Sequence, residues 1–252
     1  MNPSVALILE VAVVLTICAT IQSTVGFAFG LFAIPPLVWL KLELPAAITL
    51  VLTASFIQTC WATCTLRTDI RWRPALMAMT VRGLTLPIGV GLLQLIAVLD
   101  RSQVGLILGA VLLVIVAILW LWQVEPADRL HPGWGWLAFS VSGLMLGSLG
   151  MGAPPMVVWV MAHNWTSRQM RAFLLLNMLV CAPIQLLLMS LTFSGMISKP
   201  LLLGLALSPA VLVGTKVGLG IGQRLSRRSL QALAYGLLVV IAIGSMVGPL
   251  IR

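Results

Sequence analysis

Charged side chains are scarce in this chain. Asp, Glu, Lys and Arg make up 8% of its 252 residues, against roughly a quarter in soluble domains. A soluble domain needs a charged or polar outer shell, so this shortage excludes one. Acidic residues are the scarcest, with 6 against 15 basic residues and a net charge of +9. Nucleic-acid binding, which such a basic chain usually indicates, is excluded because the basic residues stand singly between long apolar runs. The remaining class is a polytopic membrane protein whose outer surface contacts lipid.

Reactive side chains are also few. The four cysteines lie in apolar runs, where they suit helix packing rather than disulfides or metal ligation; they are Cys18, Cys60, Cys64 and Cys181. The two histidines, His131 and His163, are far apart, and no phosphate-binding loop is present. We therefore predict a protein that is not an enzyme and that uses no metal or cofactor. A membrane-embedded enzyme or assembly factor is the rival interpretation.

The charges divide the chain into apolar runs of the length that a membrane-spanning helix needs, about 20 residues. Two longer runs, 4–40 and 133–162, are interrupted by glycines. Runs that suit one span each are 44–66, 74–99, 103–123, 171–195, 200–222 and 229–251. The prediction is an all-α polytopic membrane protein whose residues 1–252 form a single transmembrane domain.

Each half of the chain opens with a glycine-broken run that ends in a proline pair. The first reads GFAFGLFAIPPLVW over 26–39, and the second reads GSLGMGAPPMVVW over 147–159. Three ordinary spans follow in each half. Further matches keep one common spacing: Gln58 with Gln185, Gly91 with Gly218, Arg101 with Arg228, and Gly109 with Gly236. We predict repeat 1 over about 1–123, a linker at 124–132 and repeat 2 over about 133–252. Such repeats are typical of transporters.

Basic residues indicate how the two halves are oriented, because cytoplasmic loops carry an excess of Lys and Arg. In the first half, the loop between the runs 44–66 and 74–99 is rich in arginine. The equivalent loop of the second half holds only Lys199. The next pair of loops shows the reverse bias, with Arg101 alone in the first half. The arginine-rich loops contain Arg67, Arg71 and Arg73 in one half and Arg224, Arg227 and Arg228 in the other. Opposite bias in equivalent loops is expected of inverted repeats.

Inversion requires each glycine-broken run to enter and leave the membrane on one side. Two short crossings or a re-entrant helical hairpin both satisfy this requirement. The arginine-rich loops then lie in the cytoplasm, and both termini lie in the periplasm of a bacterium with the protein in its inner membrane.

The glycine breaks are the first candidate site. A break frees backbone groups that lipid cannot satisfy, so it survives only where protein or a water-filled cavity covers it. The helix that restarts after a break presents a partly positive end, which suits an anion. In inverted repeats the two breaks are expected to meet near the midplane. The candidates are Ser23, Thr24, Gly26, Gly30, Gly147, Ser148, Gly150 and Gly152. The alternative is that these glycines only allow close helix packing, as we expect of Gly214, Gly218 and Gly222.

Polar residues inside the spans are the second set of candidates. Arg82 lies deep in its run, and an anionic substrate would neutralise it because no neighbouring span holds a deep carboxylate. The alternative is that Arg82 extends its charge to the cytoplasmic surface, as we expect more strongly of Lys216. Gln58, Gln185 and Asn177 either bind substrate or join helix to helix.

The two glycine-broken motifs, each opening a four-segment half, resemble the TauE/SafE family of sulfite and sulfonate exporters over essentially the whole chain. The resemblance implies transport of small sulfur-containing or organic anions, with sulfite, sulfoacetate and related sulfonates as leading candidates. We therefore expect a secondary transporter that works by alternating access, with a small anion and the lipid bilayer as partners and no nucleic acid. A homo-oligomer is compatible with the sequence. An anion channel, or a carrier of thiosulfate or a carboxylate, is the alternative.

Overall fold

The computed structural model describes residues 5–25, 29–121, 131–222 and 227–247. Throughout these residues the regular structure is helical, as predicted, and no strand is present. The helices are α1 (Val5–Val25), α2 (Phe29–Trp39), α3 (Leu44–Thr65), α4 (Trp72–Ala97), α5 (Arg101–Leu121), α6 (Pro132–Leu149), α7 (Ala153–Met161), α8 (Ser167–Thr192), α9 (Ser198–Gly222) and α10 (Arg227–Val247). A short 3-10 helix, Arg67–Asp69, connects α3 to α4.

Six of these helices are long and apolar enough to cross a membrane: α1, α3, α4, α5, α8 and α9. Their outer faces carry large apolar side chains that neither protein nor a polar shell covers. Leu84 is 69% exposed, Leu95 65% and Leu191 73%. Exposure of such an apolar surface to water is unfavourable, whereas contact with lipid acyl chains is favourable. The chain is therefore a multi-pass membrane protein.

Each glycine-broken run forms a helical hairpin, in which a long helix is followed by a short one that returns beside it. In the first, the Cys18 thiol donates to the carbonyl oxygen of Phe32 over 3.2 Å. This carbonyl is free because Pro36, four residues on, has no N–H to give it. In the second, Ser142 Oγ donates to the carbonyl oxygen of Gly152. In each hairpin the proline pair lies within the short helix, and in α7 it lies near the start of that helix.

Polar contacts fix which connections share an end of the molecule. Arg168 forms an ion pair with Asp69 at 3.1 Å, so the α3–α4 connection and the start of α8 lie together. We call this the arginine end; its charged residues include Arg67, Arg71, Arg168 and Arg171. At the other end, Arg101 Nη2 donates to the carbonyl oxygen of Lys41 over 3.3 Å. We call this the lysine end, and it holds the α2–α3 and α4–α5 connections.

The two hairpins enter from opposite ends. A Cβ on Gly135, near the start of α6, would lie 3.3 Å from Trp159 of α7 and 3.5 Å from Met77 of α4, which places both ends of the α6–α7 hairpin at the arginine end. α1 runs parallel to α9, since Thr16 and Thr24 bond to the carbonyls of Ala210 and Gly218 in the same order. The α1–α2 hairpin therefore begins and ends at the lysine end.

Glycines allow the closest helix approaches. A Cβ on Gly147 of α6 would stand 2.8 Å from the Cα of Gly89 in α4, and Gly214 of α9 packs against the Thr16 carbonyl of α1. α6 along α4 and α1 along α9 are equivalent pairings under exchange of the two halves. This exchange and the opposite directions of the hairpins are compatible with inverted repeats. The repeat boundaries stay a prediction, and most of the linker lies outside the described residues.

Candidate functional site

The α1–α2 and α6–α7 hairpins meet at two glycines, Gly30 and Gly150. A Cβ atom on Gly30 would lie only 2.6 Å from the carbonyl oxygen of Gly150, so the backbones of α2 and the α6–α7 tip are in direct contact. Gly150 ends α6 in the left-handed region, with φ 70° and ψ 13°, and its N–H donates to the Leu146 carbonyl over 2.9 Å. Glycine adopts this conformation without the steric cost that a side chain brings.

A cavity of about 60 Å³ lies at this meeting point. Its wall includes backbone from both tips and side chains from the middle of α3 and the first half of α8. The lining residues are Gln22, Phe29, Gly30, Leu31, Val51, Leu52, Ser55, Thr59, Gly150, Met151, Gly152, Ala153, Met156, Leu174, Leu175 and Met178. Sites for drug-sized ligands and cofactors occupy several hundred Å³. This cavity therefore suits a small ion or molecule, and its α8 residues lie about 10–17 Å along the helix from the arginine end.

Arg82 lies just behind the cavity wall. A Cβ atom on Gly152 would stand 3.2 Å from Nη2 of Arg82, so the guanidinium lies beside the Gly152 backbone, which lines the cavity. The Arg82 side chain is fully buried, and Nε, Nη1 and Nη2 have no hydrogen-bond partner among the described residues. The alternative that this charge reaches the membrane surface is therefore wrong. Arg82 is the one charged side chain buried in the described part of the molecule.

Three amide side chains are buried in the described structure, each with an unpaired oxygen. Gln185 Nε2 donates to the Leu146 carbonyl over 2.7 Å and so holds the last turn of α6. Asn177 Nδ2 donates to the Phe173 carbonyl over 3.0 Å, and Gln58 Nε2 donates to Gln22 Oε1 over 3.4 Å. The remaining oxygens of Asn177, Gln185 and Gln58 have no partner in the described structure. Gln58 connects to the cavity through Gln22, which lines it.

Some predicted residues lie elsewhere. The hydroxyls of Ser23, Thr24 and Ser148 donate to carbonyls one turn back in their own helices, over 2.7, 2.6 and 2.8 Å, and none of them lines the cavity. Gly147 packs against α4. Gly26 lies outside the described residues. Ser23, Thr24, Gly147 and Ser148 therefore support the hairpins and do not form the cavity wall.

Lys216 is an exposed residue of α9, far along the helix toward the arginine end. It is not among the cavity residues. Its position favours the alternative that its charge extends to the membrane surface.

Sequence reasoning missed three polar residues of the wall, Gln22, Ser55 and Thr59. A signal was present for each. Gln22 is an amide in an apolar run just before the first break. Ser55 and Thr59 lie one turn apart on the side of α3 that also carries Gln58. Without a known partner for that face, they could not be told from lipid-facing hydroxyls.

A larger cavity of about 690 Å³ lies between α5 and the α6–α7 hairpin. Its lining is almost wholly apolar and includes Val114, Leu137 and Trp134, which are also outer-surface residues. An anion would lose its hydration there without gaining a partner. The smaller cavity at the tips is therefore the candidate site.

Comparison with known proteins identifies the family of the chain. The sequence profile of the family described as "Sulfite exporter TauE/SafE" matches residues 11–245, which is nearly the whole chain. No curated protein and no solved structure gives a significant match. The profile match confirms the resemblance drawn from the two glycine-broken motifs.

Proposed function

Because this chain belongs to the TauE/SafE family of sulfite exporters, we propose that it is a secondary transporter of small sulfur-containing or organic anions in the bacterial inner membrane. Family membership implies membrane transport of sulfur anions such as sulfite, and the members of the family are transporters rather than enzymes. Sulfite, sulfoacetate and related sulfonates are the substrates we expect. The proposal puts the arginine end in the cytoplasm and both termini in the periplasm.

The observation that carries the proposal is the buried, unpartnered guanidinium of Arg82. A buried cation without a counter-ion is costly, by several kcal/mol. No carboxylate is buried among the described residues to offset it. An anion at the hairpin tips would supply the missing charge, and five N–H groups in a planar fork suit a sulfur oxyanion.

The backbone around the cavity favours the same ligand. α7 begins at Ala153, and its N-cap, Gly152, has no side chain to occupy the helix end. The partial positive charge at this end points into the cavity wall. Pro154 and Pro155 remove N–H groups from the first turn, so Arg82 supplies donors that the proline-containing turn lacks.

Alternating access is the mechanism we propose, and the meeting of two hairpins that enter from opposite ends supports it. Their contact at Gly30 and Gly150 is a close approach of two backbones. Movement of one half against the other would open the cavity to the cytoplasm or to the periplasm in turn. Such rocking around a central site is a common mechanism in repeat-built carriers.

Purified protein in liposomes tests the proposal. We expect sulfite, sulfoacetate or methanesulfonate to raise the thermal stability of the protein and to be taken up in a counterflow assay, where internal substrate drives entry of labelled substrate. A channel would show uptake without counterflow. Stabilisation by thiosulfate or a carboxylate alone would support the alternative substrates, and the absence of any anion effect on folded protein would reject the proposal.

A further inference from the structure

We propose that the protein binds its substrate as a protonated monoanion that itself donates a hydrogen bond, which for sulfite is the hydrogensulfite ion. This inference rests on the proposed function and narrows its substrate class. A proton would then cross the membrane as part of each transported anion.

The charge at the site favours a monoanion. Arg82 contributes one positive charge, and the described residues bury no other charged side chain. A monoanion at the tips neutralises this charge, whereas a dianion leaves one negative charge in a low-dielectric interior. A net buried charge is strongly unfavourable. Sulfite should therefore bind better in its singly charged form.

The buried amide oxygen of Asn177 lacks a donor. Asn177 Nδ2 donates to the carbonyl of Phe173, and a carbonyl oxygen can only accept, so the orientation of this amide is determined and its unpaired atom is Oδ1. A sulfonate or sulfite dianion has acceptors only and leaves Oδ1 unpaired. Hydrogensulfite brings both an acceptor for Arg82 and an O–H for Asn177.

Asn177 and Arg82 lie at the same depth. Each stands ten residues after the first residue of its helix, Ser167 of α8 and Trp72 of α4, and both helices begin at the arginine end. Ten residues correspond to about 15 Å. Asn177 also lies beside Leu174 and Met178, which line the cavity. The N–H groups of Arg82, which lack acceptors, and Oδ1 of Asn177, which lacks a donor, thus occur at one level of the membrane.

Few titratable groups face this region. The described part of the α6–α7 hairpin, 131–161, contains none beyond His131 at its outer end. α8 contributes the buried thiol of Cys181, one turn beyond Asn177, and its arginines Arg168 and Arg171 lie at the arginine end. α4 adds only Arg73 near its start, and α3, which packs against α8, carries Cys60 and Cys64 in its last turns. The described residues of these helices contain no carboxylate that could carry a coupled proton, and the substrate is the group that can.

The first test uses the unmodified protein and needs no variant. Sulfite binding is measured by thermal shift over a pH range on both sides of the hydrogensulfite ionisation. We expect the apparent Kd to rise about tenfold per pH unit above that ionisation. Methanesulfonate, a monoanion without an ionisable proton, should bind roughly tenfold more weakly at low pH and without pH dependence. Sulfate, a dianion, should bind more weakly than sulfite at low pH.

Asn177→Leu tests the donor contact. It should abolish the preference for hydrogensulfite over methanesulfonate, and Ser190→Ala, at an exposed position of α8, should retain it. Equal losses for both ligands in folded Asn177→Leu would overturn the assignment of Oδ1. Sulfite binding that is independent of pH, or as tight as that of sulfate, would overturn the monoanion inference while leaving anion transport intact. Failure of every anion to bind would reject the proposed function itself.

Discussion

Arg82 and Gly152 are in direct contact across the wall of the cavity at the hairpin tips. A Cβ on Gly152 would lie 3.2 Å from Nη2 of Arg82, 2.5 Å from the carbonyl oxygen of Ser142 and 2.6 Å from Cβ of Leu146. No side chain fits between them. The glycine thus brings a buried positive charge within one backbone thickness of the point where the two hairpins meet.

Replacement of Arg82 separates its role in transport from its effect on stability. Arg82→Met should reduce anion transport by at least tenfold and abolish stabilisation by sulfite. Its thermal stability without ligand should be unchanged or higher, because the variant no longer buries an uncompensated charge. Lys216→Met is the matched control, since Lys216 is an exposed basic residue within a span, and it should transport normally. Normal transport by Arg82→Met would remove this residue from the mechanism.

Addition of a single methyl group at the tip should disturb the site. Gly152→Ala forces α6 and α7 apart, at a cost of about 1–3 kcal/mol, and should lower both sulfite binding and thermal stability. Gly83→Ala is the control on α4, because nothing lies within 4 Å of its added Cβ. That variant should be as stable as the unmodified protein or slightly more so. Equal behaviour of the two variants would contradict the tight packing described at Gly152.

Alanine substitutions at two glycines with positive φ separate the cost of backbone strain from the cost of disturbed packing. Gly150→Ala combines the cost of a left-handed side chain, about 1–2 kcal/mol, with contact at 2.6 Å to Ile34 Cδ1. Gly195→Ala has only the backbone cost, since its φ is 91° and its surroundings are open. We expect a larger fall in melting temperature for Gly150→Ala and a loss of transport in that variant alone. A fall of the same size in both would mean that the Gly150 contacts contribute little.

Cysteine labelling tests the opposite orientation of the hairpins. Glu43 follows the α1–α2 hairpin and Asn164 follows the α6–α7 hairpin, and both are exposed. On a background without native cysteines, a membrane-impermeant maleimide should label Glu43→Cys from the periplasm and Asn164→Cys only after the cytoplasmic side is opened. Lysis before labelling should make both reactive, as a control for accessibility. Labelling of both from one side would exclude inverted repeats.

The apolar runs predicted most of the helices because hydrophobic length is a local property. The run 171–195 corresponds to α8 at Ser167–Thr192, and the run 74–99 to α4 at Trp72–Ala97. The glycine break at Gly150 was also visible locally, because φ near 70° at this position favours the one residue without a Cβ. Boundaries shifted by a few residues where polar caps such as Thr166 extend a helix beyond its apolar part.

The roles of the hydroxyls could not be predicted in the same way. Ser23, Thr24 and Ser148 flank the breaks in sequence, but each donates to a carbonyl one turn back in its own helix. This bond competes with any ligand and depends on the side-chain rotamer, which the order of residues does not reveal. Gln22 does line the cavity, but it lies in the same apolar run as Ser23 and Thr24, and the order of residues does not show which of these side chains faces the cavity.

By itself the sequence determined that this chain is a helical membrane protein, that two breaks interrupt it and that one arginine lies deep in a span. These properties depend on composition and on spacing along one segment. Only the tertiary structure decided that the breaks meet, that Arg82 is buried rather than extended to the surface, and that it lies behind Gly152. Those relations join residues that are distant in sequence, and the packing of α4 along α6 and α1 along α9 brings them together because small residues let the backbones approach.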